Sequence, residues 1–309
     1  MTPIVIFAYN RADHLAKTLQ ALEQAKGAEQ TELFIFADGY KGEKDKNKVL
    51  EVHNYLNGYK ADRPFKKMNV MLAEKNRGLA ESVIQGVSQI IQKYGAVIVV
   101  EDDLVVTPDF IVYMNEALEH YKNQQQVWAI SGWAPELDEL SGLKEDTFFW
   151  YRSSSWGWAT WQDRWEKVDW SIKDYSSFRY SWKLRKKMNR GGADMADMLD
   201  MQMQGVINSW AIRFAYAESM DDGMTVFPTV SKVTNCGQDG SGTNCHAVNV
   251  EKKEIYRKVK NAEGDIVWGE SLPDKNLCRK LYRYYSGSRL HCAKWRLKSI
   301  LNRLGIKKF

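Results

Sequence analysis

The sequence has few cysteines and prolines and no long apolar run. Its 309 residues include four cysteines and six prolines. The cysteines show neither C-x-x-C pairing nor zinc-type spacing with histidine, which favours reduced thiols in a cytoplasmic protein. No apolar run reaches about 18 residues, so no transmembrane helix is predicted. The first residues also lack the basic, apolar and small-residue regions of a signal peptide.

The charges are unevenly distributed along the chain. The net charge is +5, but residues 279–309 contain ten lysines or arginines and no acid, so the remainder carries 34 basic and 39 acidic residues. This asymmetry points to an anionic partner, either a membrane surface or nucleic acid. We expect a membrane and no nucleic acid, because no basic stripe continues outside the tail.

Residues 1–130 alternate between apolar runs and helical patterns. The predicted strands are PIVIFAY, TELFIFAD, KMNVMLAE and GAVIVVEDD, and helical spacing of apolar residues recurs after each. The stretch GYKGEKDKNK predicts a polar loop, while Thr107 and Pro108 predict the cap and first residue of a later helix. This alternation predicts an α/β fold with a Rossmann-like, mostly parallel sheet and helices on both faces.

Polar residues follow each of these four predicted strands. They are Asn10 and Arg11, Asp38, Asn76 and Arg77, and finally Glu101, Asp102 and Asp103. Ligands bind at the carboxyl ends of strands in open α/β sheets, so four such clusters indicate one site. The sequence contains no G-x-x-x-x-G-K-[ST] loop and no G-x-G-x-x-G after a strand, which argues against P-loop and dinucleotide sites.

The last cluster directly follows an apolar run, in AVIVVEDDLVV. Hard divalent cations such as Mg²⁺ or Mn²⁺ take one or two carboxylates together with substrate phosphates. The alternative is a solvated turn, but LVV resumes the apolar pattern at once. The triplet therefore predicts a Mn²⁺ or Mg²⁺ site at the end of a buried strand.

The stretch VIVVEDDLVVTPDFIVYMNEAL resembles the metal-binding segment of the N-acetylglucosaminyltransferase I family, which has the GT-A fold and uses nucleotide-sugars. FAYNRADHL, FIFADGY, WAISGW and SSSWGWATW continue the resemblance, and SWAIRF and VFPTVSKVTNCGQDG do so more weakly, over roughly residues 3–245. The pattern is also similar to bacterial family-two glycosyltransferases of surface-polysaccharide synthesis. The resemblance implies that Asp103 binds the metal. It implies nucleotide-sugar contacts for Asn10, Arg11, Asp38, Asn76, Arg77, Glu101 and Asp102.

An inverting glycosyltransferase needs a carboxylate that takes the proton of the acceptor hydroxyl. GGADMADMLDMQ offers Asp194, Asp197 and Asp200 near a predicted helix start, where acids also complement the helix dipole without any catalytic role. Where the family carries its base, this chain has Asn208, Ser209 and Trp210. The base has therefore moved to Asp194 or Asp197, or the stereochemistry differs, and we favour the former.

Tryptophans are dense between residues 150 and 170. Sugar rings stack on indole, which makes Trp156, Trp158 and the earlier Trp133 candidates for acceptor or sugar stacking. Trp161 and Trp165 are expected in the core. The loop CGQDGSGTNCH is expected to close over the donor, and His246 is a second candidate metal or diphosphate ligand, although a lone histidine beside such a loop often has neither role.

The predicted organisation has three parts. Residues 1–130 form the nucleotide-sugar-binding half, residues 131–250 the acceptor-binding and catalytic half, and residues 251–309 an extension with a basic amphipathic helix. We expect a transferase that acts on a glycan or lipid-linked oligosaccharide at the inner face of the cytoplasmic membrane, which residues 279–309 contact. The alternatives are a carbohydrate-binding protein without catalysis and a sugar-phosphate nucleotidyltransferase.

Overall fold

The computed structural model describes residues 1–59, 65–237, 265–270 and 272–287, together with Ala293, Arg296, Leu297 and Ile300. His246 and most of the basic tail lie outside these residues, and so do Cys245 and Cys292. Within the described part of the chain, no helix is both long and apolar enough to cross a membrane.

Ten strands in the described residues form two sheets. In chain order they are β1 (Ile4–Ala8), β2 (Glu32–Ala37), β3 (Lys67–Leu72), β4 (Ala96–Glu101), β5 (Leu104–Val106), β6 (Val127–Ser131), β7 (Thr147–Trp150), β8 (Trp158–Trp161), β9 (Met224–Pro228) and β10 (Val233–Asn235). The large sheet has the order β3-β2-β1-β4-β8-β6-β9-β7, and β10 pairs with β5. The four strands predicted in the first half are confirmed and are mutually parallel. The second half adds antiparallel strands, which makes the sheet mixed.

Between residues 1 and 287, the described part of the chain contains ten α-helices. They are α1 (Ala12–Glu23), α2 (Glu43–Asn57), α3 (Leu79–Tyr94), α4 (Phe110–Tyr121), α5 (Gln162–Trp165), α6 (Tyr175–Tyr180), α7 (Trp182–Met188), α8 (Met195–Met203), α9 (Trp210–Met220) and α10 (Lys275–Ser286). The predicted loop after Asp38 is too long, because α2 already begins at Glu43, where Asp45 accepts from the backbone N–H of Gly42. The cap of α4 is Asp109 rather than Thr107.

Strand β1 buries both of its faces. In β1, Ile4 and Ile6 belong to the cluster that contains α1 and α4, whereas Val5 and Phe7 belong to the cluster that contains α3 and α9. Alternate side chains of a strand point to opposite faces, so two helical layers are needed to cover such a strand. The prediction of helices on both faces is therefore confirmed.

The second half of the chain continues the same sheet. Strand β8 lies between β4 and β6, so the acceptor-side residues are built onto the edge of the first half. Helices α7, α8 and α9 enclose a separate small core. Helix α10 packs on the body through Leu277 and Leu281, which are 3% and 0% exposed. This part of the predicted membrane segment therefore serves the fold.

Candidate active site

The polar residues of the first half meet at one edge of the sheet. Strands β1 to β4 are parallel, so their carboxyl ends lie on the same side. Strand β8 is antiparallel to both β4 and β6, so the end of β6 and the start of β8 reach that edge as well. This topology brings Trp133 and Trp156 to the edge that carries the acidic triplet.

Arg11 lies between the last two acids of the triplet. Its guanidinium forms an ion pair with Asp102 through Nη2 and a second with Asp103, where Nη1 is 2.9 Å from Oδ2. The carboxylates are only 4% and 5% exposed by residue, so each needs a counter-charge. The cation expected beside the triplet is therefore present in the protein itself.

The triplet has unusual proton affinities. Burial, and after it the charges of Asp103 and Asp102, raise the pKa of Glu101 to about 8. Burial also raises the pKa of Asp102 to about 6, although Arg11 acts against this shift. Such shifts are common where a site is arranged to receive positive charge.

Asp103 has an unused acceptor. Its Oδ1 atom is buried and has no hydrogen-bond partner among the described residues, whereas Oδ2 faces Arg11. Gly237 lies so close to this carboxylate and to Arg11 that an added Cβ would overlap both. Within the described chain no three His, Cys, Asp or Glu side chains converge on one point. The geometry fits a divalent cation held by Asp103, with substrate phosphates and water as the other ligands.

Asp38 organises the neighbouring loop. Its carboxylate accepts from the backbone N–H groups of Arg77, at 2.9 Å, and Gly78, at 2.9 Å, and from the side-chain amide of Asn76, at 3.0 Å. Gly39 permits this arrangement, because a Cβ there would overlap the backbone of Lys75. The carboxylate thus ties the end of β2 to the loop after β3, and it brings together three residues that the sequence predicted for one site.

The three candidate bases have different surroundings. Asp200 is fully buried and Asp197 is 5% exposed, and Arg185 pairs with both, at 2.9 and 2.8 Å. Both carboxylates join α7 to α8 through Arg185 and have little access to solvent, which favours a structural role over the predicted catalytic one. Asp194 instead pairs in bidentate fashion with Arg152, at 2.8 and 3.1 Å.

One predicted stacking residue lies in the core. Trp158 is 2% exposed and stacks against Trp165 and Trp210, with ring centroids 5.8 and 4.7 Å away. Burial against these two indoles favours a core position over the predicted sugar-binding role. The expected core positions of Trp161 and Trp165 are confirmed at 7% and 2% exposure.

Trp133 and Trp156 form an aromatic platform with residues of α10. Their rings meet edge to face at 5.3 Å, and the ring of Tyr284 lies 6.3 Å from Trp133. Tyr285 contacts Trp133 as well, and the guanidinium of Arg152 lies 5.2 Å from its ring centre. Tyr284 is 42% exposed, so the platform is open to solvent. Asp194 therefore lies beside this platform, through its ion pair with Arg152.

Sequence reasoning missed four residues of this region: Glu136, Arg152, Tyr284 and Tyr285. The two tyrosines lie about 150 residues from Trp133 in a segment whose charge suggested a membrane helix, and no local pattern links them. Glu136 is exposed three residues after Trp133, and its charge adds to the rise in the pKa of Tyr284, which burial causes first.

The mostly parallel sheet, the acidic triplet at the end of β4 and the aromatic platform on the same edge define a glycosyltransferase with a GT-A type fold. The sequence model of the GNT-I family matches residues 1–195, well over half of the chain. The chain belongs to the GNT-I family. A comparison with curated proteins found no match.

Several solved structures are similar to part of this chain at low identity. Mannosyltransferase PcManGT from Pyrobaculum calidifontis, in complex with GDP-Man and Mn²⁺, is 12% identical with a TM-score of 0.41, over 54% of this chain and 46% of that one. S. aureus TarS 1–349 is 13% identical with a TM-score of 0.37, over 55% and 50%. The complex of TarS 1–349 with UDP-GlcNAc is 13% identical with a TM-score of 0.31, over 42% of this chain and 34% of that one. The chain thus spans half or less of these proteins.

Proposed function

We propose that this protein is a metal-dependent, inverting glycosyltransferase that moves a sugar from a nucleotide-sugar to a glycan acceptor in bacterial surface-polysaccharide synthesis. The observation that carries the proposal is the buried acidic triplet of a GNT-I family chain, with an unpartnered oxygen on Asp103 and a cation, Arg11, already at its side. We expect UDP as the nucleotide, from the resemblance to this family.

The donor is held along the edge formed by β1, β2 and β4. Arg11 is placed to bind the diphosphate while Asp102 keeps it in position. The loop that Asp38 joins to Asn76 and Arg77 lines the pocket for the base and ribose. When bound at Asp103, Mn²⁺ or Mg²⁺ neutralises charge on the diphosphate and makes it a better leaving group.

The reaction exchanges one bond at the anomeric carbon. The bond from this carbon to the diphosphate oxygen breaks, the acceptor oxygen forms a new bond, and the proton of the acceptor hydroxyl goes to a carboxylate. We assign this role to Asp194, because it lies beside the aromatic platform and its bidentate pair with Arg152 holds the carboxylate in position. Trp133 and Trp156 bind the acceptor sugar by stacking.

The acceptor is a glycan or a lipid-linked oligosaccharide, and the protein works at the inner face of the cytoplasmic membrane. The basic tail supports this proposal through its ten cations without an acid. Leu297 and Ile300 in that tail are exposed, at 56% and 41%. Cys236 and Cys278 are free thiols, which is compatible with a reducing compartment.

Thermal stability measured with nucleotides tests the donor site. The wild type, Asp103→Ala and the control Asp13→Ala, which removes an exposed carboxylate from α1, are melted with UDP, GDP or ADP, with and without Mn²⁺. A Mn²⁺-dependent rise in Tm with one nucleotide, lost only in Asp103→Ala, supports the proposal, because a ligand that binds the folded state stabilises it. If no nucleotide shifts Tm in the wild type, the donor site is refuted and a carbohydrate-binding protein becomes the better account.

Steady-state kinetics test the base. With the donor identified, Asp194→Asn is expected to lower kcat by about a hundredfold or more with little change in the KM for the donor. Glu136→Gln is the matched control, because it removes the other carboxylate near the platform. The opposite result, with kcat lost only in Glu136→Gln, would move the base to Glu136.

A further inference from the structure

Helices α6 and α7 expose two large aromatic side chains. Tyr180 at the end of α6 is 77% exposed, and Trp182 at the start of α7 is 74% exposed. Among the large apolar side chains in the described part of the chain, these two have the highest exposed fractions. Scattered exposed apolar residues are normal, but two aromatic residues this exposed and only two positions apart in sequence indicate a contact surface.

The outward position of the pair is fixed by the fold. Phe178 anchors α6 and Met188 anchors α7, and both are fully buried in the small core of this region. Ser181 separates the two helices and caps α7, where its hydroxyl accepts from the backbone N–H of Leu184 at 3.3 Å. The rings are therefore held on rigid elements rather than on a loose loop.

Cations surround the two rings. Lys186 Nζ lies 5.0 Å from the ring centre of Trp182, and the Arg179 guanidinium lies 5.2 Å from that of Tyr180. Lys183 is exposed beside Trp182. Residues 173–190 contain seven basic residues and one acid. We call Tyr180, Trp182, Lys183 and Lys186 the aromatic–basic surface.

The carboxylates next to α7 are already neutralised. Asp197 and Asp200 pair with Arg185, and Asp222 pairs with Lys187 at 2.7 Å and with Arg190 at 3.0 Å. Lys183 and Lys186 take part in none of the ion pairs found in the described residues. Their charges thus face solvent and remain available to an anionic partner.

Helix α10, which precedes the last basic residues of the chain, packs near the end of α7. Helix α7 runs into the turn at Asn189–Gly191, and α10 packs against that turn. At the end of α10, the hydroxyl of Ser286 accepts from the backbone N–H of Ala193 at 3.0 Å. Residues 288–309, which follow, carry seven lysines or arginines and no acid. Two cationic segments that are far apart in sequence therefore start from the same region of the molecule.

We infer that the aromatic–basic surface docks on an anionic lipid bilayer, with Tyr180 and Trp182 at the level of the headgroups. Indole and phenol rings combine an apolar body with a polar tip, and they favour the membrane–water interface. Lys183 and Lys186 add attraction to anionic headgroups at the same depth. The inference goes beyond the proposed function, because it concerns a surface outside the donor and acceptor sites and needs no nucleotide chemistry.

Vesicle co-sedimentation of the full chain tests the charges. The vesicles contain phosphatidylcholine alone or with phosphatidylglycerol. We expect the wild type to bind the anionic vesicles only. The partition coefficient of Lys183→Gln/Lys186→Gln should be at least about tenfold lower, because each lysine near an anionic surface contributes roughly fivefold. The control Lys44→Gln/Lys48→Gln removes the same charge from exposed positions of α2 and is expected to stay within about twofold of the wild type. Equal losses in both variants would overturn the inference in favour of a net-charge effect.

Two further measurements test the rings. Tyr180→Ser/Trp182→Ser is expected to lower partitioning by about tenfold, whereas Tyr40→Ser, which removes an exposed ring that also has a lysine over it, should leave it unchanged. Anionic vesicles should also slow hydrogen exchange in residues 179–190. Wild-type affinity in the serine variant, or unchanged hydrogen exchange, would refute the inference. Vesicle binding would then be assigned to the tail, and the exposed rings to a contact with a protein partner.

The two proposals fail separately. Nucleotide-dependent stabilisation without vesicle binding would refute the lipid surface and leave the transferase intact. Vesicle binding that depends on the aromatic–basic surface, without any nucleotide effect on Tm, would support the lipid surface and refute the donor site of the transferase.

Discussion

A rise in pH should destabilise the fold through one buried carboxyl group, that of Glu218 on α9. The side chain is fully buried. Its Oε1 accepts from the hydroxyl of Thr225 at 2.6 Å, whereas Oε2 has no hydrogen-bond partner among the described residues. Burial raises the pKa of Glu218 to about 8, against the opposing hydrogen bonds from Thr225 and from the backbone of Ser153.

The sign and the size of the effect follow from this pKa. The ordinary value is 4.5, so between pH 4.5 and about 8 the unfolded chain loses a proton that the folded chain keeps. Stability is therefore fully present below pH 4.5 and is lost as the pH rises through about 8. Each pKa unit corresponds to about 1.4 kcal/mol, so the shift of Glu218 sets an upper limit of roughly 5 kcal/mol on the loss.

Urea denaturation at pH 5 and pH 8.5 measures this loss. In Glu218→Gln the oxygen that accepts from Thr225 can stay, and the neutral amide replaces the unpartnered Oε2. From pH 5 to pH 8.5, the free energy of unfolding of the wild type should fall by several kcal/mol more than that of the variant. Glu51→Gln, an exposed change on α2, should show no such difference. A wild-type-to-variant difference that is the same at both pH values would refute the reasoning.

Three further changes test the assignments of the site. Trp158→Ala should lower the free energy of unfolding, measured in urea, by about 3–5 kcal/mol because it empties a packed core position. Trp133→Ala should instead mainly raise the KM for the acceptor. Equal effects of the two changes on stability would contradict the division between core and platform. Asp200→Asn should lower Tm, since it weakens the buried pair with Arg185, while kcat of the folded variant stays near wild type; a kcat loss of about a hundredfold would restore the catalytic role. Gly39→Ala should weaken nucleoside diphosphate binding by at least about tenfold in calorimetry, since its Cβ would displace the loop that Asp38 holds; an unchanged Kd would show that the loop does not serve the donor.

The sequence predicted the first half well because its signals are local. An apolar run followed by a polar cluster identifies both a buried parallel strand and the edge at which it ends, as with Asp38 and Asp103. The strand topology then places these residues together without further information. The exact start of α2 was missed because its first turn is polar and exposed, so no apolar periodicity marks it.

The second half was harder because its partners are distant in sequence. A run of aspartates at a helix start is compatible with catalysis, and only the positions of Arg185 and Arg152 separate structural from accessible carboxylates. Trp158 has the same composition signal as Trp156, yet Trp158 begins β8 and is buried in one core cluster, whereas Trp156 precedes the strand and is only partly buried against the other. The contribution of α10 depends on a contact between residues about 150 positions apart, which no local pattern encodes.

The role of Arg11 explains how three adjacent carboxylates tolerate burial, and it leads to a last prediction. Arg11→Gln leaves Asp102 and Asp103 without a counter-charge, which should lower the free energy of unfolding by about 3 kcal/mol. The loss is expected at the low end of the range for broken buried pairs, because protonation of Glu101, with its pKa of about 8, relieves part of the repulsion.

Mn²⁺ should compensate for this change, since a divalent cation at Asp103 supplies the positive charge that the variant lacks. The rise in Tm with Mn²⁺ alone should therefore be larger in Arg11→Gln than in the wild type, and Arg11→Gln/Asp103→Asn should lose it. A variant as stable as the wild type without metal would show that Arg11 is not the counter-ion of the triplet. If the variant is unstable and does not respond to Mn²⁺, Arg11 is the counter-ion of the triplet but Asp103 does not bind the metal. The ion pair and the metal site can therefore be tested separately.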